Sequence, residues 1–256
     1  MGHSGLIIFA VLSVYLSGKG KPVLQRAQRL LLPWAIWFAV YGAIEMWRKV
    51  PALNESHGVV AAILNGTAYH LWYMPFIFLV LVGLDAFKRV AAPATQAWLA
   101  AIAALLLLAT LRLWQPASVA WNLPWSHYLA IAPALCFGLF LSRFDSLPKT
   151  TGRTLLALIW LNTLVVPEAD IGLPYKIGFT LAIIALLYPP RLPARLDVAV
   201  WSRCTLGIYL LHPLLLMPMI AYRAELGIFM PIIAFVGSAL IIRLALKVQW
   251  LARYAL

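Results

Sequence analysis

The stretch Thr95–Trp114, TQAWLAAIAALLLLATLRLW, decides the fold. It runs for 20 residues with one charge, Arg112, and has Trp98 and Trp114 near its ends. A helix needs about 20 mostly apolar residues to cross a bilayer core of about 30 Å, and aromatic side chains collect where such a helix meets the headgroups. Outward from it, further apolar runs fall at roughly 3–18, 30–47, 69–87, 127–143, 153–167, 173–189, 204–222 and 226–247. Hydrophobic residues make up 64% of the 256 and charged ones 11%, with mean hydropathy +0.90. Soluble domains are about 45–50% apolar and about 25% charged, so a water-soluble enzyme fold is excluded. The pattern predicts an all-α, polytopic integral membrane protein with about nine transmembrane helices, forming a single membrane domain over residues 1–256.

The connections agree with these cuts. Pro51, Pro93, Pro116, Pro124, Pro148, Pro167, Pro174, Pro189, Pro190 and Pro193 fall at or between run ends, where a residue without an amide donor marks turns. Residues 54–66 are too short and polar to span and read as an outer loop with a short interfacial helix. Cys136 and Cys204 sit in or beside apolar runs and suggest neither a disulfide framework nor a metal site.

The net charge of +12 is a statement about topology. Alternate connections carry Lys19, Lys21, Arg26 and Arg29; Lys88 and Arg89; Arg143, Lys149 and Arg153; Arg191, Arg195 and Arg203; Arg243, Lys247 and Arg253. The opposite set carries Arg48, Lys49, Arg112, Lys176 and Arg223, balanced by Glu45, Glu55, Glu168, Asp170 and Glu225. All the excess positive charge therefore lies on one side, which the positive-inside rule makes cytoplasmic. Nucleic acid need not be invoked. Nine spans with a cytoplasmic C-terminus put the N-terminus outside, an arrangement that would follow if one earlier helix were absent from the chain.

Three places offer chemistry. Arg26 and Arg29 are three apart and share a face on a helix; guanidinium groups suit bidentate phosphate contacts, or anchor the chain on anionic lipid. His70, in Tyr69-His70-Leu71-Trp72-Tyr73 at the outer start of a run, reads as a general base or as a hydrogen-bonded interfacial anchor. His212, in Gly207-Ile208-Tyr209-Leu210-Leu211-His212-Pro213, stands roughly 12 Å into its run by helical rise. It reads equally as a functional intramembrane group or as a neutral ring bonded to a carbonyl released by Pro213. His3 and His127 lie at outer run ends and could share a cavity with His70, whereas His57 sits in the outer loop. Glu45 and Asp85 lie near run ends, within snorkelling reach of water. No row of acidic residues marks mid-membrane depth, and there is no Gly-rich phosphate loop or zinc-ligand spacing.

Taken together, these segments resemble the membrane-bound acyltransferase 3 family, which O-acylates cell-envelope and exported glycans. Phe9-Ala10-Val11-Leu12-Ser13-Val14-Tyr15 is similar to the family's Phe-Phe-Val-Leu-Ser-Gly-Phe/Tyr segment, with Val14 in place of glycine. Arg26-Ala27-Gln28-Arg29 matches its Arg-x-x-Arg motif, His70-Leu71-Trp72-Tyr73 its His-Leu-Trp-Phe/Tyr segment, and Gly207–Pro213 its late Gly-Ile-Tyr-Leu-Leu-His-Pro segment. The resemblance covers about residues 5–250. It implies a ten-helix domain with both ends cytoplasmic, in a bacterial inner (plasma) membrane. It implies acyl-CoA, acetyl-CoA foremost, as donor, with its phosphates met by Arg26 and Arg29, a saccharide or lipid-linked glycan as acceptor, and no metal.

The family's first helix carries an arginine and then an essential histidine, and this chain begins at what corresponds to the second helix. The expectation is thus a family member lacking its first span, with His70 the best remaining candidate for the base. Two rivals remain open: a transporter or flippase built around helices broken at Pro75 and Pro213, and a catalytically inactive truncated relative.

Overall fold

The computed structural model describes residues 2–18, 22–51, 53, 58–121, 124–166, 172–187, 198–222, 227 and 229–249. Regular structure among them is helical throughout: α1 Gly2–Tyr15, α2 Val23–Trp47, α3 Val59–Asn65, α4 Tyr73–Val90, α5 Pro93–Ala109, α6 Leu111–Val119, α7 Trp125–Ser142, α8 Lys149–Val165, α9 Leu173–Leu187, α10 Val198–Tyr222 and α11 Phe229–Ala245. Helices are the answer that hydrocarbon imposes on such a sequence, because each backbone donor and acceptor then finds its partner within the segment. The described parts of the apolar runs are mainly helical, run 95–114 being divided between α5 and α6, and α3 is a short helix within the 54–66 connection. By length and composition, α2 and α7 are each sufficient to cross a bilayer, and α5 with α6 make a third, bent candidate.

That bend corrects the reading of 95–114 as one uninterrupted span. α5 and α6 meet at 72°. Leu107 would accept the amide of Leu111 in a continuous helix; its carbonyl instead takes the Trp114 indole N–H at 2.8 Å. The Thr110 hydroxyl turns back to the Leu106 carbonyl at 2.6 Å, a bond that bends helices. Beyond the break, Pro116 lies inside α6 and Arg112 is exposed.

Two other boundaries also move. α2 begins at Val23, so Arg26 and Arg29 ride its first turns. α4 begins only at Tyr73, so Tyr69–Trp72 form turns ahead of it.

The chain folds into two compact units, each assembled from separated segments. One holds residues 1–23, 55–64 and 76–190; the other holds 24–54, 65–75 and 191–256.

In the first unit α1 packs on α7 and α9, and α5 on α7 and α8. Gly138 makes the α1–α7 approach possible: a Cβ there would stand 2.5 Å from the Val11 carbonyl oxygen and 3.1 Å from Val14 Cβ. Polar side chains tie the helix ends of this unit together. Lys88 Nζ reaches Ser17 Oγ at 2.8 Å, Gln96 Nε2 donates to the Ala91 carbonyl at 2.7 Å, and Arg143 Nε donates to Gln96 Oε1 at 2.8 Å. Three connections assigned to one side by their charge therefore meet at one end of the unit. In the second unit Cys204, Ile208 and Leu211 of α10 pack with Ala239 and Ile242 of α11.

Candidate functional site

The second unit contains all three candidate segments. Its centre is the turn that carries His70. Gly66 opens that turn with φ +85°, and a Cβ there would lie 2.7 Å from Leu71 Cβ. Glycine alone meets both demands without strain. Thr67 then donates its hydroxyl to the Phe38 carbonyl of α2 at 2.7 Å. Leu71 is wholly buried with Tyr41, Ala68 and Leu210. Between these fixed points the His70 side chain is driven inward and is only 5% exposed.

Its surroundings are aromatic. Ring centroids of Tyr41, Tyr209 and Tyr69 lie 5.2, 5.4 and 5.5 Å from the imidazole, all edge-on, and His212 lies at 5.9 Å. Tyr209 donates its hydroxyl to the His70 backbone carbonyl. Tyr41 donates its own to the Leu210 carbonyl at 2.8 Å, so α10 is tied both to the turn and to α2. Neither ring nitrogen of His70 has a hydrogen-bond partner. Buried polar atoms in native proteins are bonded in the great majority of cases, and each unpaired one costs about 1–3 kcal/mol. An imidazole held in this way is suited to a group that arrives from outside.

His212 stands just past the middle of α10. Its Nδ1 lies 2.8 Å from the Tyr209 carbonyl and 3.1 Å from that of Ile208. Pro213 explains the first contact, since the amide that would bond the Tyr209 carbonyl in an unbroken helix is the one proline lacks. The structure thus places His212 on a carbonyl released by Pro213, and beside His70 as well.

The two arginines part company. Arg26 is buried, at 6% exposure, and Arg29 is exposed. The face they share is an edge between packed and open surface. Along α2, Arg26 and the Tyr41 ring that abuts His70 are roughly 22 Å apart by helical rise.

The remaining candidates fall elsewhere. His57, Lys19 and Lys21 lie outside the described residues, as does the side chain of His3. His127 belongs to the first unit. Glu45 pairs with Arg48 at 2.9 Å, and Asp85 is buried in the body of its unit rather than snorkelling outward. Among the described residues no three His, Cys, Asp or Glu side chains converge as metal ligands would.

The sequence reading missed Tyr41, whose role depends on a tertiary contact with no local signal. Tyr209 was legible in principle: it precedes His212 by three residues and so shares its helix face.

The sequence model of the acyltransferase 3 family, described as an acyltransferase domain, matches residues 1–246. No curated protein and no solved structure matches the chain.

Proposed function

The chain belongs to the acyltransferase 3 family and is, in broad terms, a membrane acyltransferase; we propose that it moves an acyl group, acetyl foremost, from cytoplasmic acyl-CoA to a hydroxyl of a saccharide or lipid-linked glycan. The membrane in this reading is the bacterial inner membrane, with the C-terminus cytoplasmic, as the charge asymmetry favours.

Arg26 and Arg29 receive the CoA phosphates at the start of α2. Exposed Arg29 is open to a ligand, whereas buried Arg26 is held by the fold. The acyl-pantetheine arm then extends along α2 towards His70, a path on the scale of the extended arm. There the acceptor hydroxyl gives its proton to His70 as its oxygen attacks the thioester carbonyl carbon. A C–O bond forms, the C–S bond breaks, and the CoA sulfur leaves with the electron pair and is protonated.

The single observation that carries this reading is the buried His70 ring, with both nitrogens unpartnered, its own carbonyl held by Tyr209 of α10 and its turn tied to α2 through Thr67. A structural histidine would spend those nitrogens on neighbours.

Calorimetry of acetyl-CoA binding to the purified chain tests the donor site. A charge-assisted hydrogen bond contributes about 1.5–3 kcal/mol, so Arg29→Ala raises Kd by roughly 10- to 150-fold and Arg29→Lys by less. Arg26→Ala also weakens binding, by less, because its guanidinium is buried. Unchanged binding in both alanine variants removes the arginines from the donor site.

A further inference from the structure

Two features of His212 play no part in that reaction. The first is its fixed tautomer. Both partners of Nδ1 are carbonyl oxygens, which only accept, so Nδ1 carries the proton and Nε2 is left with a lone pair. The second is its place, 5.9 Å ring to ring from a histidine neither of whose ring nitrogens makes a hydrogen bond. The two planes meet at 62°, so the edge of one ring faces the other.

The surroundings of the two rings differ in what charge they tolerate. His70 is almost wholly buried among Tyr41, Tyr69 and Tyr209. An imidazolium is costly in such a place, where the neighbouring Leu210 carbonyl already takes the Tyr41 hydroxyl. His212 is less buried and already holds two carbonyl dipoles on its Nδ1–H; these strengthen when the ring is charged. A positive charge generated during transfer is therefore better kept on His212. The titratable groups that face the pair are Tyr41 from α2, Tyr69 from the turn, and Tyr209 from α10.

Resting on the acyl-transfer reading, we infer that His212 is a positioning residue acting through His70, its Nε2 receiving the proton that His70 releases from its far ring nitrogen. The acceptor's O–H proton passes to one nitrogen of His70 while the N–H proton on the other passes to His212 Nε2. The acceptor oxygen closes on the thioester carbon, the C–S bond breaks, and the sulfur departs with the electron pair. The reverse relay returns a proton to the CoA thiolate, leaving both rings neutral. Pro213 belongs to the device, because its missing amide frees the carbonyl that fixes the tautomer.

His212→Asn separates this role from helix repair. The asparagine amide sits where Nδ1 does and can still donate to the Tyr209 carbonyl, but nothing replaces Nε2. Full-length chain is expressed in a bacterial host, and base-labile acetate on envelope glycans is measured in its membranes with acetyl-CoA as donor. The expected result is a fall in kcat of about 100-fold or more, with KM for acetyl-CoA and thermal midpoint unchanged. Wild-type transfer by His212→Asn overturns the relay and leaves the acyl-transfer reading standing. No transfer by the unaltered chain overturns that reading, and the relay with it. A second measurement is independent of activity and of the variant's folding: the 15N shifts of histidine-labelled chain assign the His212 tautomer. A proton on Nδ1 supports the relay, and a proton on Nε2 overturns it alone.

Discussion

Replacing Gly138 by alanine tests the packing that seats α1. The added Cβ would meet the Val11 carbonyl oxygen at 2.5 Å and Val11 Cα and Val14 Cβ at 3.1 Å. Two of the three obstacles are backbone, so no side chain can swing aside, and the helices must part by about 0.5–1 Å. A gap of that size forfeits a quarter to a half of each dispersion contact across it. Val11 and Val14 of α1 meet Gly138 of α7 at this seam, and both valines are buried. The loss is of order 2–4 kcal/mol, at the upper end of overpacking (typically about 1–3 kcal/mol) because backbone blocks the new Cβ, and the better helix propensity of alanine returns about 1 kcal/mol. The net destabilisation is therefore about 1–3 kcal/mol.

Gly83→Ala provides the control. It lies on the exposed side of α4 with no atom within 4 Å of the new Cβ, and it gains the propensity term alone. Unfolding of both variants in the same detergent, followed by tryptophan fluorescence, should place Gly138→Ala well below wild type and Gly83→Ala at or slightly above it. Equal stability of the two would refute the close α1–α7 approach.

Two predictions concern the His70 turn. Gly66→Ala forces a Cβ onto Leu71 at a positive φ; it should reduce transfer at least 10-fold while acetyl-CoA still binds, and calorimetry beside the acetate assay reads both. Tyr41→Phe removes the hydroxyl held by the Leu210 carbonyl at 2.8 Å. It should destabilise the chain by about 1–3 kcal/mol and lower kcat rather than donor affinity; a changed Kd with unchanged kcat would contradict the placing of Tyr41 beside the reacting group.

The helices were legible in the sequence because hydropathy sums over a whole run and tolerates local error. The break at Thr110 was not, because it turns on one indole reaching back to one carbonyl while the surrounding leucines keep the window apolar. The site divides in the same way. His70 stood out as an ionisable group at the edge of an apolar run, and Arg26 and Arg29 by their spacing of three in a basic connection. What surrounds His70 could not be read, since Tyr209 comes 139 residues later and Tyr41 sits on a separate helix. Nor could the sequence separate buried Arg26 from exposed Arg29, which differ by packing and not by type. The contact of His212 with a carbonyl freed by Pro213 was foreseeable from adjacency alone; its place beside His70 was not.

The central claim is that acyl groups leave CoA and become esters on a glycan. Inside-out membrane vesicles from cells expressing the chain can be given acetyl-CoA labelled in the acetyl group, and the glycan fraction then analysed. Label should become attached to glycan and be released by mild alkali, with free CoA formed in equal amount. Label that crosses into the lumen without becoming covalently attached would contradict it and favour transport.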